Sequence, residues 1–449
     1  MGLCGGKQQS LETVGEKKNE MKDPKPPAMA PPSNAVDVKD DDDLFEQYQL
    51  TKGGSMFLPD KGDGMEIDES AYDDAIAEFL EEEGDDGLEL EDMEDWENPA
   101  YSSTRHHYKP GDPIEYAPDM EDNVSFELKD QEGSKNCTLT FGYKTLAGKT
   151  GGGLYGKANQ DSLCIVRTKD SPNQAIFSVF DGHGPNGEHA SHYCRMNFMK
   201  AYVRQKAKTP KATPEKLMEK TLLKLDKGFG DVDPDATNVD PIVSGTTAVA
   251  IFFDGKNIIS ANVGDSRAIL GQKGEDGKVE AIPLTDDHKP NRLSEITRIR
   301  KTSARVLTER ELRGMPPKND PEQKVYVCRQ RRGEIIYAVL FSRSLGDVDA
   351  HRNLGVISDP EFDRAQIDES KQQCVILASD GIWDMMSNEE CAEIVFSKND
   401  PLKACEEIVN IAAVRWAESE ERRRDDITVT IIGIGDTFVN AGGAGGSFA

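Results

Sequence analysis

Paired cysteines, long apolar runs and, in its first third, basic residues are what this sequence lacks. Its eight cysteines (Cys4, Cys137, Cys164, Cys194, Cys328, Cys374, Cys391, Cys405) are scattered, with no C-x-x-C pair. That spacing excludes a zinc knuckle and a disulfide framework, and most of them are expected to be small core residues. With no secretory signal pattern either, the expected compartment is reducing: the cytoplasm, with the nucleus left open. No apolar run approaches the roughly 20 residues a helix needs to cross a bilayer. Lys and Arg number 54 against 82 Asp and Glu, a formal charge of -28. Almost all of that excess lies before residue 130, and so acidic a chain repels nucleic acid.

The 449 residues leave room for one large domain and an appendage. Residues 1 to 130 read as the appendage, an acidic and largely disordered extension. Between Asp40 and Glu97 only Lys52 and Lys61 oppose the carboxylates, so little apolar surface is there to offset the ordering entropy. Within it, Tyr72, Ile76, Phe79 and Leu80 share one helical face that could dock on a partner or on the chain's own catalytic domain. The start, Met1-Gly2-Leu3-Cys4-Gly5-Gly6, partly matches an N-myristoylation pattern, with Gly6 where Ser or Thr is usual. Gly2 is thus a candidate acylation site, and Cys4 a candidate palmitoylation site giving the second anchor that stable membrane attachment needs.

From residue 137 to 437 the pattern is globular, followed by a Gly-rich tail, 438 to 449. Residues 163 to 166, 175 to 180, 246 to 253, 257 to 263, 267 to 270 and 427 to 434 read as strands. Residues 188 to 206, 211 to 229, 293 to 300, 388 to 396 and 402 to 417 read as helices. Strands joined by short turns, with helices in pairs between them, predict antiparallel sheets covered by helices and not a doubly wound parallel sheet. Two near matches to a phosphate-binding loop fail on residue type: Ala158 follows Gly156-Lys157 where a hydroxyl is required, and Tyr143 stands where Gly148-Lys149-Thr150 needs a glycine.

The most informative stretch is Phe177-Ser178-Val179-Phe180-Asp181-Gly182-His183-Gly184, a buried strand that runs directly into a carboxylate, a glycine and an imidazole. The same grammar recurs. Asp161 opens a strand, Cys374 to Ala378 runs into Ser379-Asp380-Gly381, Asp425-Asp426 opens the last strand, and Asp265 sits between two more. One such Asp is an ordinary turn residue. Five at strand ends can converge, and their repulsion calls for hard divalent cations, magnesium or manganese in an all-oxygen shell.

Seven motifs carry a family resemblance in order: Phe180 to Gly184, Ser244 to Ala248, Gly264 to Arg267, Thr285 to Pro290, Ser342 to Asp347, Ala378 to Asp384 and Asp425 to Val429. The sequence resembles the metal-dependent serine/threonine protein phosphatases of type 2C over about residues 137 to 437. The resemblance implies an α+β fold: a central antiparallel β-sandwich flanked by helices on both faces, with two Mg²⁺ or Mn²⁺ ions and a weaker third at one end. By that resemblance Asp181 bridges both metals, the Gly182 carbonyl binds one, and Asp380 and Asp425 complete the other shell. Asp265 serves the third ion, Asp161 acts through water, and His183 is the general acid. It also implies phosphoprotein substrates, and a monomer is expected. Two positions depart from the pattern. Gln160 stands where many members have Glu, and Gly156 where many have a phosphate-binding Arg, so Lys157 is expected to bind phosphate as a point charge. Two other readings stay open here: an inactive binding module that keeps the fold, and a scaffold acting through the acidic extension.

Overall fold

The computed structural model describes residues 125–129, 136–150, 155–168, 171–231, 240–316, 318, 323–331, 334–419 and 423–438. Gly2, Cys4, the Tyr72 to Leu80 stretch and the tail from residue 439 lie outside them.

Two antiparallel sheets face one another. The first runs Ser125–Lys129, Asn136–Leu146, Ile427–Ile434, Gln372–Ala378, Arg267–Lys273, Val279–Pro283. The second is built on Ser171–His183, flanked by Asp161–Thr168 and by Ala248–Phe253, and continues through Asn257–Val263 to Glu361–Gln366. A short ladder extends it from Gly182 and His183 through Gly245–Thr246 to Leu345–Gly346.

The central strands are nearly continuous in apolar residues because both of their faces are covered. Along Ser171–His183, Phe177 and Val179 point between the sheets, packing with Phe141, Leu163, Val249, Ile251, Val375, Leu377 and Ile432. Ile176 and Phe180 point the other way, into a cluster with Phe198, Tyr202, Met218 and Leu222. Those four belong to helices Gly187–Lys208 and Pro214–Gly228. On the outer face of the first sheet, Ile269, Ile376 and Ile431 pack on Val395, Ile408 and Trp416 of helices Asn388–Ser397 and Pro401–Glu418. The result is the helix, sheet, sheet, helix sandwich expected from the sequence. The helix ends are locally encoded: Thr213 and Asp400 cap backbone N–H groups, each followed by a proline in the first turn.

Of the seven cysteines in the described residues, six are buried and Cys137 is half-buried. Trp383 and His288 are buried. Among the described residues no helix is long and apolar enough to cross a membrane.

Phe177 ties the two sheets together. Its ring meets Phe141 of the first sheet at 5.2 Å and Phe253 of its own sheet at 5.8 Å, both edge-on. Phe177→Ala is expected to cost about 3–5 kcal/mol, the usual range for emptying a buried aromatic site. A urea titration would show it as a lower midpoint at unchanged slope; an unmoved midpoint would mean that this contact does not hold the sandwich closed.

Candidate metal centre

The strand pairing alone brings the five predicted carboxylates to one end of the sandwich. In the second sheet Asp161 and Asp181 are direct cross-strand partners. In the first, Ala378 pairs with both Arg267 and Val429, so Asp265, Asp380 and Asp425 project from the same ends of three neighbouring strands. Asp265 lies in the crossover that leaves Asn257–Val263 of the second sheet and enters Arg267–Lys273 of the first. It therefore stands where the two sheets meet.

The electrostatics confirm the convergence. Burial raises the Asp181 carboxyl well above its ordinary range, and Asp161, Asp380, Asp425 and Asp265 push it in the same direction. Asp380 is likewise raised by burial and then by Asp384, Asp265 and Asp425. Asp161 is fully buried and is pushed up to about 7 by that burial and by Asp426 and Asp425, against hydrogen bonds from Thr428 and Ser379. Ser379 Oγ donates to Asp161 Oδ2 at 2.8 Å, so this residue also clasps one sheet to the other.

Close backbone packing shapes the turn after Asp181. A side chain at Gly182 would meet the Gly187 carbonyl oxygen at 2.1 Å and that of Gln160 at 2.5 Å. Only glycine fits there. Gln160 stitches the same turn, its amide nitrogen donating to Gly184 O and to Glu188 Oε2, each at 2.9 Å. Gln160, the departure from the Glu of many family members, thus spends its donors on this turn. A glutamate there would lose both bonds and face Glu188.

Lys157 also differs from expectation. Its ammonium lies 2.7 Å from Asp426 and 3.4 Å from Asp425. Burial alone would lower its pKa, but these two carboxylates more than offset that and raise it. A phosphate could engage this lysine only by drawing it away from them. Asp426 in turn accepts from the Gly148 and Gln160 backbone N–H groups, a structural role invisible beside the more exposed Asp425.

Three neighbours of the cluster carried no role in the sequence reading. Lys289 Nζ lies 2.6 Å from Asp265, and its charge outweighs burial there, so the Asp265 carboxyl is lowered. Asp384 follows Asp380 by one helical turn, the signal being the i, i+4 spacing. It is raised by burial, with Lys289 opposing. The third is Asp347, whose Oδ2 lies 2.5 Å from His183 Nε2. His189 and His192 lie on helix Gly187–Lys208. Burial lowers both, His192 to about 4.

Seven carboxylates thus surround two ammonium groups. Among the described residues no three His, Cys, Asp or Glu side chains close into a ready-made cage. An open set of oxygen donors fits Mg²⁺ or Mn²⁺, because Mg²⁺ keeps several waters and takes only one or two carboxylates from a protein.

A carboxylate-lined, water-accepting end on a helix-flanked antiparallel sandwich defines a class of divalent-ion protein, and comparison with known proteins gives the family. The model of the protein phosphatase 2C family matches residues 152–420. "Probable protein phosphatase 2C 35" of Arabidopsis thaliana is 30% identical over 289 residues, 62% of this chain and 79% of that protein. "Probable protein phosphatase 2C 61" of the same plant is 33% identical over 279 residues, 62% of this chain and 80% of that one. The crystal structure of serine-threonine phosphatase 2C from Toxoplasma gondii superposes with a TM-score of 0.52 at 19% identity, covering 70% of this chain and 99% of that one, which shows the shared fold. The chain belongs to the protein phosphatase 2C family, and membership implies a metal-dependent protein phosphatase acting on phosphoproteins.

A buried carboxyl with a raised pKa favours folding most when protonated. That contribution is complete below its ordinary value near 4 and is lost as pH rises through the raised value, about 7 for Asp161. Asp265 is shifted the other way, so its contribution changes only at lower pH. Metal-free protein is therefore expected to melt higher at about pH 6 than at about pH 8. Divalent ions should stabilise by about 2.7 kcal/mol at 100 times Kd, and a fixed concentration should stabilise more at the higher pH, where ionised carboxylates lower Kd. Scanning calorimetry with and without chelator checks this; a metal-free Tm that rises with pH across that window would contradict it.

Proposed function

We propose that this protein hydrolyses phosphoserine and phosphothreonine esters, with water activated at the Asp181 end of the sandwich and His183 protonating the departing alkoxide. The observation that carries this reading is one strand end. Ser171–His183 delivers Asp181, which four other carboxylates press upon, and two residues later His183, whose ring is only partly exposed.

Asp181 and the Gly182 carbonyl, with Asp380 and Asp425, are the groups we assign to two divalent ions, and Asp265 to a weaker third. Bound there, Mg²⁺ or Mn²⁺ lowers the pKa of a coordinated water toward neutrality and offsets charge on the phosphoryl oxygens. The chain's own residues do the rest. Lys289 and Lys157 hold Asp265, Asp425 and Asp426 in place. The Gly182 turn, stitched by Gln160, fixes the approach to the Asp181 carboxylate. The oxygen leaving phosphorus is a poor leaving group as an alkoxide, so a proton from His183 supplies on the order of 10²–10⁴ in rate. No side chain needs to become phosphorylated, and recognition centres on the phosphoryl group.

Full-length protein is expected to hydrolyse a phosphothreonine peptide and p-nitrophenyl phosphate with Mn²⁺ or Mg²⁺, and to stop in Asp181→Asn and Asp380→Asn. His183→Gln should lose about 10²–10⁴ on the peptide and far less on the aryl ester, whose leaving group needs no proton. Steady-state kinetics on both substrates checks this. A wild-type protein silent on both with either metal would favour an inactive binding module instead.

A further inference from the structure

Asp347 is the one described non-glycine residue in the left-handed backbone region, at φ 46° and ψ 46°. A side chain held there typically costs about 1–3 kcal/mol and persists only where its surroundings enforce it. The enforcement is visible. Its N–H donates to Ser244 O at 3.1 Å, and the preceding Leu345–Gly346 pairs with Gly245–Thr246. Upstream, Arg343 is locked to Glu295 at 2.7 Å and to Glu361 at 2.6 Å.

The obvious structural role for Asp347 is to cap helix Val348–Leu354, which begins at the next residue. Its side chain makes no capping bond. It is fully buried, and Oδ1 has no hydrogen-bond partner, an arrangement that costs stability. Its one placed contact is Oδ2 to His183 Nε2 at 2.5 Å. Room for it comes from Gly245, where a Cβ would lie 2.2 Å from Asp347 Oδ2. Phe341 covers the imidazole, with ring centroids 4.2 Å apart. The strand of His183 and the loop of Asp347 are both hydrogen-bonded to Gly245–Thr246, so the two side chains share one rigid frame.

We infer that Asp347 is the positioning residue for His183: its carboxylate accepts the Nε2 proton, fixes the ring's tautomer and leaves Nδ1 to serve the substrate. This rests on the assignment of His183 as proton donor. As the bond between phosphorus and the serine or threonine oxygen breaks, that oxygen keeps the electron pair and takes the Nδ1 proton. The neutral imidazole retains Nε2–H on Asp347, which has offset the positive charge of the ring beforehand.

Asp347→Asn separates this role from a structural one, because Asn tolerates the left-handed conformation but brings no charge. In full-length protein with Mn²⁺, kcat on the phosphothreonine peptide is expected to fall about 10²-fold, within the span of general acid catalysis. On p-nitrophenyl phosphate it should stay within about 3-fold, and Asp347→Glu should not rescue, because Gly245 leaves no room for a longer arm. Equal losses on both esters, or none, would overturn the inference. The second measurement needs no variant and no turnover. Imidazole ¹⁵N NMR of the wild-type protein, with His183→Gln for assignment, should find Nε2 protonated in the neutral ring. Protonation at Nδ1 would overturn the positioning role even where both esters are hydrolysed. If neither ester is hydrolysed, the functional reading fails while the tautomer still decides the fate of Asp347.

Discussion

Mutual repulsion among clustered, buried and half-buried carboxylates is the constraint on which this structure turns. Asp161, Asp181, Asp265, Asp380 and Asp425 come from both sheets of the sandwich, and partial removal from water strengthens the interactions between them. A cluster like this is a local minimum for cations and a local maximum for free energy when they are missing. The chain meets part of that cost itself, with Lys289 at Asp265 and Lys157 at Asp425 and Asp426. The remainder is a demand for divalent ions that membership of the protein phosphatase 2C family independently implies.

The fold is what makes the repulsion sustainable. Carboxylates on loops would swing apart; these sit at the ends of strands whose registers are fixed by cores on both faces. Phe177 and Val179 bind one sheet to the other, while Phe180, on the opposite face, anchors the same strand to Phe198 of the covering helix at 5.9 Å. Asp181 follows Phe180 directly. The stiffness that a good core gives the strand is thereby handed to its carboxylate end, and the Asp161 hydrogen bond to Ser379 closes the sandwich at the same level.

Much of this was legible in the residues. Apolar runs of strand length ending in Asp-Gly pointed to two central strands with Asp181 and Asp380, and acidic residues at strand starts and between strands pointed to Asp161, Asp425 and Asp265, because strand burial and turn chemistry are local signals. Paired helices between strands gave the layers. What stayed hidden depends on contacts far apart in sequence. Nothing near Gln160 announces Gly184 and Glu188 as the partners of its amide, and nothing near Lys157 announces Asp426, 269 residues later. Asp426 and Asp425 look equivalent as neighbours, yet one is buried against backbone N–H groups and the other is half-exposed beside Lys157. Asp347 ended a motif with no chemistry of its own; only the ladder through Gly245–Thr246 brings it to His183, 164 residues away.

The central claim is that the strand-end carboxylates form one electrostatic unit completed by hard divalent cations. Isothermal titration of Mn²⁺ into metal-free full-length protein, repeated with Asp181→Asn, tests it most directly. The account predicts saturable binding in the wild type that is lost, or weakened by about tenfold or more, in the variant, a tenfold change corresponding to about 1.4 kcal/mol. Binding of equal strength and stoichiometry in both proteins would contradict it, since the ions would then be held somewhere other than the end of the sandwich.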